Sequence, residues 1–268
     1  MSSGWADAAG LAIRASRSIF LAVLSLGVVI GLWYGALAIL NLSPYYAKNP
    51  ADVWTYLTSG DTADANRAEL WHELGTTLRD AGVGYVAGST VGLLTAIAIV
   101  LSPTVELSVM PILVALQTIP IVAMTPLIAL TFGRGLLAVA VIGTIVTFFP
   151  TVVYVVRRMR TTPTSAVDLV HAYGGGPWIV LRKLQLPNAV PAIFAAARVA
   201  VPASIVAAML AEWLATGRGI GYLILAASSA SRFDTMWSAV AIITIVSVFA
   251  YTTVTIIEAA VLNRYEAG

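Results

Sequence analysis

Residues 161–194 read TTPTSAVDLVHAYGGGPWIVLRKLQLPNAVPAIF, and this stretch organises the rest of the chain. Thr162-Pro163 is a helix start, a hydroxyl able to accept from free N–H groups followed by a proline whose fixed φ suits the first helical position. Ala166, Leu169, Val170 and Tyr173 then recur at i, i+3, i+4 and i+7 and so share one face. Gly174-Gly175-Gly176 ends that helix, with Gly174 placed where a helix C-terminus takes the left-handed backbone that glycine adopts without strain. Pro177 begins a second helix, continued by Trp178, Leu181, Leu184 and Gln185 and stopped by Pro187 and Pro191. The reading is a helix–turn–helix outside any bilayer with an apolar face open to water, the kind of face that fits a groove in a partner.

Outward from this loop the chain is apolar. Blocks run over Ile19–Leu40, Ala81–Leu101, Leu107–Phe132, Leu136–Val156, Ile193–Leu214 and Met236–Val261. At 1.5 Å per residue the first is about 33 Å long, enough to cross a hydrocarbon core of about 30 Å. Composition agrees, with 59% hydrophobic and 10% charged residues against about 45–50% and 25% in soluble chains. A water-facing surface cannot be built from so few charges. The expected fold is an all-α membrane protein of about six transmembrane helices, with the helix–turn–helix between the fourth and fifth. Residues 1–18 form an N-terminal segment and 19–268 the transmembrane domain, with the loop over about 158–191. Asn41–Glu73 reads as polar and irregular, broken by a short surface helix from Asn49-Pro50-Ala51-Asp52 with Val53, Trp54 and Leu57 on one face.

Arginine and lysine positions give an orientation. With the N-terminus inside, Arg14, Arg17, Arg157, Arg158, Arg160, Arg182, Lys183, Arg198 and Arg264 are cytoplasmic, and Lys48, Arg67, Arg79, Arg134, Arg218 and Arg232 are outside. The run Arg157, Arg158, Arg160 sits at a helix end, where the positive-inside rule counts most. Both termini are therefore expected in the cytoplasm of a cell-membrane protein.

Several functions drop out. The absence of cysteine removes disulfides and thiolate metal sites, and two histidines leave no basis for zinc. The first apolar run is too long for a cleavable signal. A net charge of +2 does not suggest nucleic acid. No Gly-x-x-x-x-Gly-Lys-Ser/Thr loop is present, so the chain does not hold nucleotide phosphates in that manner. Gly88-Ser89-Thr90-Val91-Gly92 is no nucleophile elbow and reads as a small-residue helix-packing run. An intramembrane hydrolase would need a nucleophile–base or metal set that is missing here.

The loop resembles one of a known family. Binding-protein-dependent ABC permeases carry the pattern Glu-Ala-Ala, three residues, Gly, nine residues, Ile-x-Leu-Pro. Asp168-Leu169-Val170, Gly174 and Leu184-Gln185-Leu186-Pro187 stand at that spacing, with Asp-Leu-Val in place of Glu-Ala-Ala. Pro111–Gly135 (PILVALQTIPIVAMTPLIALTFGRG) and Ala211–Ile224 (AEWLATGRGIGYLI) are similar to segments of the sulfonate-, taurine- and nitrate-type permeases. The resemblance covers about Leu70–Ala260 and implies a type I ABC importer permease, a transport subunit rather than an enzyme. It implies two ATPase subunits that carry ATP and magnesium, so that this chain needs no cofactor. It further implies a second permease copy or close paralogue and an extracytoplasmic substrate-binding protein. The docking residues it implies are Ala166, Asp168, Leu169, Val170, His171, Ala172, Tyr173, Gly174, Gly175, Gly176 and Pro187. Solutes of the subfamily are sulfonates, taurine, nitrate and vitamin precursors.

Prolines inside a spanning helix free carbonyls that only protein or a wet cavity can satisfy. Gln117, Thr118, Pro120, Thr125 and Pro126 are therefore expected on a translocation path, the alternative being that the prolines only shape packing. Glu212 is a path or gate candidate too, set against a structural carboxylate that holds the Gly217–Gly221 turn through Arg218. Arg198 reads as an assembly residue, and His171 as a solvated or interface side chain. A secondary transporter or a channel uncoupled from an ATPase is the alternative function. It would need more buried ionisable groups and no docking loop.

Overall fold

The structure is a computed structural model, and it describes residue 24 and residues 27–266. The N-terminal segment 1–18 and the first part of the Ile19–Leu40 span lie outside the described residues. Every element described is helical: α1 (Gly27–Ile39), α2 (Pro50–Thr58), α3 (Ala63–Leu101), α4 (Pro103–Thr118), α5 (Ile121–Phe132), α6 (Leu136–Arg160), α7 (Thr164–Ala172), α8 (Pro177–Thr216), α9 (Ile220–Ser229) and α10 (Phe233–Glu266). Among the described residues α3, α6, α8 and α10 are long and apolar enough to cross a membrane. The bent pair α4–α5 makes a fifth crossing if counted as one.

Three helices, α3, α6 and α8, form the centre. Small residues let α3 and α6 touch backbone to backbone: a Cβ built on Gly143 would stand 2.5 Å from the Gly84 Cα. One and two turns along, Gly88 faces Thr144 and Thr147, and Gly92 faces Thr151. The Thr147 hydroxyl donates to Gly143 O at 2.9 Å and reaches Gly84 O at 3.3 Å. Small residues at the seam are how helices associate where lipid removes the hydrophobic drive, so the 88–92 run has the packing role expected of it. Buried Ile99, Val152, Val155, Met159 and Leu181 join α3, α6 and α8 toward the loop end, and Leu70, Leu74, Ile205, Ile220 and Ile243 join α3, α8, α9 and α10 toward the other. The outer side of α10 leaves Ile245, Phe249 and Ile256 exposed, as a lipid-facing helix would.

Four local expectations are corrected. The polar, irregular segment shortens, because α3 begins at Ala63 and not at Ala81; its first turns carry Asp64, Arg67, Glu69 and Glu73, a charged extension of the spanning helix that hydropathy does not register. The Leu107–Phe132 block is two helices bent by 104°. Proline forces its predecessor out of the α region, and Ile119, before Pro120, sits at φ −83°, ψ 123°. Pro187 and Pro191 do not stop the second loop helix, which runs on into the membrane as α8. A π turn over Leu181–Gln185, closed by the Leu186 N–H on Leu181 O, removes the need for the amide that Pro187 lacks. Thr162 does not cap α7: its hydroxyl donates to Met159 O at 2.8 Å, and α7 starts at Thr164 after Pro163. The short surface helix is present, with Asn49 accepting from Ala51 and Asp52 while Asp52 accepts from the Asn49 N–H at 2.9 Å.

Candidate docking surface and translocation path

α7 and the start of α8 form the helix–turn–helix. Gly174 has φ +77°, the left-handed conformation expected of it. The Gly174 N–H donates to His171 O and the Gly175 N–H to Val170 O, each at 2.9 Å. That paired closure is a Schellman turn, which satisfies the last carbonyls of α7. His171 belongs to it, its Nδ1 lying 2.9 Å from Gly175 O. Gly175 is needed for space, since a Cβ there would meet Val170 Cγ1 at 2.4 Å. The end of α6 is clamped to α8 by Asn188, whose Nδ2 donates to Arg158 O at 3.1 Å while its backbone carbonyl accepts from Arg158 Nε at 3.1 Å.

The apolar face divides. Ala166 and Val170 turn half-buried toward the second helix, while Leu169 is 59%, Tyr173 86% and Trp178 60% exposed. Together with Ile179 they make an apolar surface that nothing among the described residues covers. Asp168, Ala172 and Gly174 are exposed beside it, Gly176 is half-exposed, and Pro187 is exposed where α8 leaves the loop for its spanning part. The contributions of Trp178 and Ile179 to this surface lay in the sequence at i and i+1 of a four-residue first turn, too short for a period to show.

The bent pair places Gln117, Thr118, Pro120 and Pro126 on exposed positions of α4, the bend and α5. Thr125 is buried, its hydroxyl donating to Ile121 O at 2.9 Å, which occupies a carbonyl near the break. α5 packs on α6 through Ile128, Ala138, Val139 and Ile142.

Glu212 is fully buried in the last turn of α8. Its Oε2 accepts from the Gly221 N–H at 2.7 Å. Two α3 side chains finish the cap of α9: Glu73 accepts from the Gly219 N–H at 2.5 Å and Thr77 from the Ile220 N–H at 2.8 Å. A helix N-terminus has orphan amides and a partial positive charge, so carboxylates suit it. Gly217 and Gly219 have φ +68° and +93°, and a Cβ on Gly219 would collide with the Glu212 carboxyl. The turn is thus held by backbone amides and not by Arg218, while the Trp213 indole N–H donates to Gly221 O. Glu73 and Thr77 were invisible as partners because they lie 146 and 143 residues from the amides they cap. Nearer the loop end, Arg198 pairs with Glu258 at 2.8 Å, tying α8 to α10.

These contacts predict a split between two substitutions. Glu212→Gln keeps an acceptor for the Gly221 N–H and nearly the same side-chain volume, so assembly and uptake should stay within about twofold of the parent. Glu212→Ala strands a buried N–H, costing about 1–3 kcal/mol, and should lower the thermal midpoint of the purified protein. Lost uptake in a stable Glu212→Gln protein would instead give the charge itself a role in the path.

Comparison with known proteins follows the same lines. A probable ABC transporter permease of Haemophilus influenzae is 29% identical over 230 residues, 85% of this chain and 91% of that protein. The taurine transport system permease of Escherichia coli is 24% identical over 233 residues, 87% and 85% of the two chains. The fold is similar to that of the MetNI methionine ABC transporter in an inward-facing conformation, with a TM-score of 0.60 at 21% identity over 76% of this chain and 99% of that one. Residues 88–266 match the family of binding-protein-dependent transport system inner membrane components. The chain belongs to that family, and it is an inner-membrane permease of the type I ABC importer class.

Proposed function

We propose that two permeases, two copies of this chain or one with a close paralogue, form the path of an importer driven by two ATPase subunits that bind ATP and magnesium. A binding protein outside the membrane delivers a small solute of the sulfonate, taurine, nitrate or vitamin-precursor class. Residues of the helix–turn–helix, from Ala166 through Gly176 with Pro187, dock in the ATPases, and both termini lie in the cytoplasm. Closure of the ATPases on ATP pushes this element, and through α8 and the Asn188 clamp it turns the spanning helices outward. Gln117, Thr118, Pro120, Thr125 and Pro126 then line the path, with Glu212 at its outer end.

One observation supports this reading above the others: Leu169, Tyr173 and Trp178 are exposed on a rigid, well-capped element outside the bundle. An apolar surface of that kind marks a protein interface. Ala172 is exposed beside it, and the chain has no cysteine, so Ala172→Cys can serve as a footprint. In nanodiscs, adding the ATPase should slow its reaction with an impermeant thiol reagent about tenfold or more. Ser59→Cys, exposed at the end of α2, should react at an unchanged rate. Equal rates at Ala172→Cys with and without ATPase would remove the docking role.

A further inference from the structure

A cleft of about 150 Å³ lies between α3, α6 and α8. Tyr85, Ser89, Thr90 and Leu93 of α3 line it together with Thr151 of α6 and the aliphatic Ile193 and Ala197 of α8. Hydroxyls in membrane helices are normally returned to the carbonyl one turn back. Thr95, Ser108, Thr125, Thr131, Thr147 and Thr151 all do so here. Ser89 and Thr90 do not, and among the described residues neither they nor the Tyr85 phenol make a hydrogen bond; Thr144, Ser238 and Ser247 share this, but none of those lines the cleft. Three unengaged hydroxyls on α3 therefore line one cleft, across from Ile193 and Ala197 on α8.

The packing of α3 produces this arrangement. Gly84, Gly88 and Gly92 turn to α6 at backbone contact, which leaves Tyr85, Ser89 and Leu93, at i, i+4 and i+8, on an adjoining face along the cleft. No lysine, arginine, aspartate or glutamate lines it. The charged residue next in sequence, Arg198 after Ala197, is neutralised by Glu258 at 2.8 Å. An anion entering the cleft would give up hydration with no cation among the lining residues to replace it. An uncharged ligand loses little and can use hydroxyls that both donate and accept. The shape calls for a polar edge and an apolar face on a small ligand.

We infer that this cleft is a solute-binding site of the permease itself, selecting a small uncharged heteroaromatic of pyrimidine size over sulfonates and nitrate. Its ring edge bonds to Tyr85, Ser89 and Thr90 while its face lies on Ile193 and Ala197. The inference rests on the importer reading and narrows its solute from four classes to the vitamin-precursor kind. The sulfonate-type resemblance of the surrounding segments then describes the frame of the path and not its cargo.

The test uses the permease–ATPase complex in nanodiscs, with Ser89→Cys in the cysteine-free chain and N-ethylmaleimide as the reagent. Cytosine, taurine and nitrate are the probes, each titrated over the same range. Cytosine should slow the reaction saturably, by about fivefold or more at the plateau, while taurine and nitrate leave the rate within about 1.5-fold. Thr90→Cys should repeat the pattern, which guards against a defect particular to the first variant. A Tyr85→Phe change placed in the Ser89→Cys background should weaken cytosine protection about fivefold, as the loss of one hydrogen bond implies. Protection by none of the probes, or equal protection by nitrate or taurine, overturns the inference. ATPase copurification, recorded on the same samples, keeps the outcomes apart: a complex that holds together without protection defeats the cleft and leaves the importer reading standing.

Discussion

Gly143→Val is expected to abolish monodisperse, folded permease, and Gly143→Ala to lower its thermal midpoint clearly. A Cβ on Gly143 falls 2.5 Å from the Gly84 Cα, with further contacts to the Gly84 carbonyl carbon and nitrogen. The obstacle is backbone, so no rotamer change relieves it, and the two helices must separate along their whole seam. Overpacking of side chains costs about 1–3 kcal/mol, and this backbone clash belongs at the upper end or beyond. Separation would also break the reach of Thr147 to Gly84 O and lift Gly88 and Gly92 from their threonines. Gly82→Ala is the matched control on α3: nothing lies within 4 Å of its Cβ position, and replacing a helical glycine by alanine gains up to about 1 kcal/mol. Size-exclusion profiles and thermal midpoints in detergent should therefore move in opposite directions for two single-methyl changes on packed helices. Equal midpoints for Gly82→Ala and Gly143→Ala would remove the seam from its central place.

That seam shows what could and could not be read from the chain. Small residues at Gly84, Gly88 and Gly92 repeat every four positions, so a packing face on α3 was legible, but its partner on α6 was not. Helix existence followed from the apolar runs because the bilayer demands satisfied backbone whatever the neighbours are. Helix ends followed less well. α3 reaches back to Ala63 because Leu70 and Leu74 are buried against α8, α9 and α10, a tertiary reason that a charged stretch conceals. The break at Ile119 was in principle readable, since the residue before Pro120 is driven to extended backbone; long hydrophobicity on both sides hid it. The α9 cap required contacts between residues more than 140 positions apart. Local rules did best where the structure itself is local, at Asn49-Pro50 and at the Gly174 turn.

The Gly174 turn carries the second large effect, and Gly174→Val is expected to give a permease that inserts and stays stable but no longer copurifies with its ATPase. At φ +77° a β-branched residue meets its own backbone, and strain of about 1–3 kcal/mol follows. Nothing lies within 4 Å of the Gly174 Cβ position, so the effect is conformational and not steric, and Gly174→Ala should show a weaker form of it. Relief comes by moving φ negative. That change breaks the paired bonds from the Gly174 and Gly175 amides to His171 and Val170, and swings α7 relative to α8. Leu169 and Tyr173 then no longer share a surface with Trp178. The spanning bundle gains nothing from this turn, since α7 buries no residue, and so insertion and the thermal midpoint should be unaffected. Uptake should fall together with copurification. Asn is tolerated in the left-handed region better than other non-glycine residues, so Gly174→Asn should recover much of both. Recovery by asparagine separates backbone conformation from the mere addition of a side chain, because asparagine and valine add side chains of similar size and differ in their tolerance of the left-handed region. Full copurification of Gly174→Val would mean that the ATPase does not read the geometry of this turn.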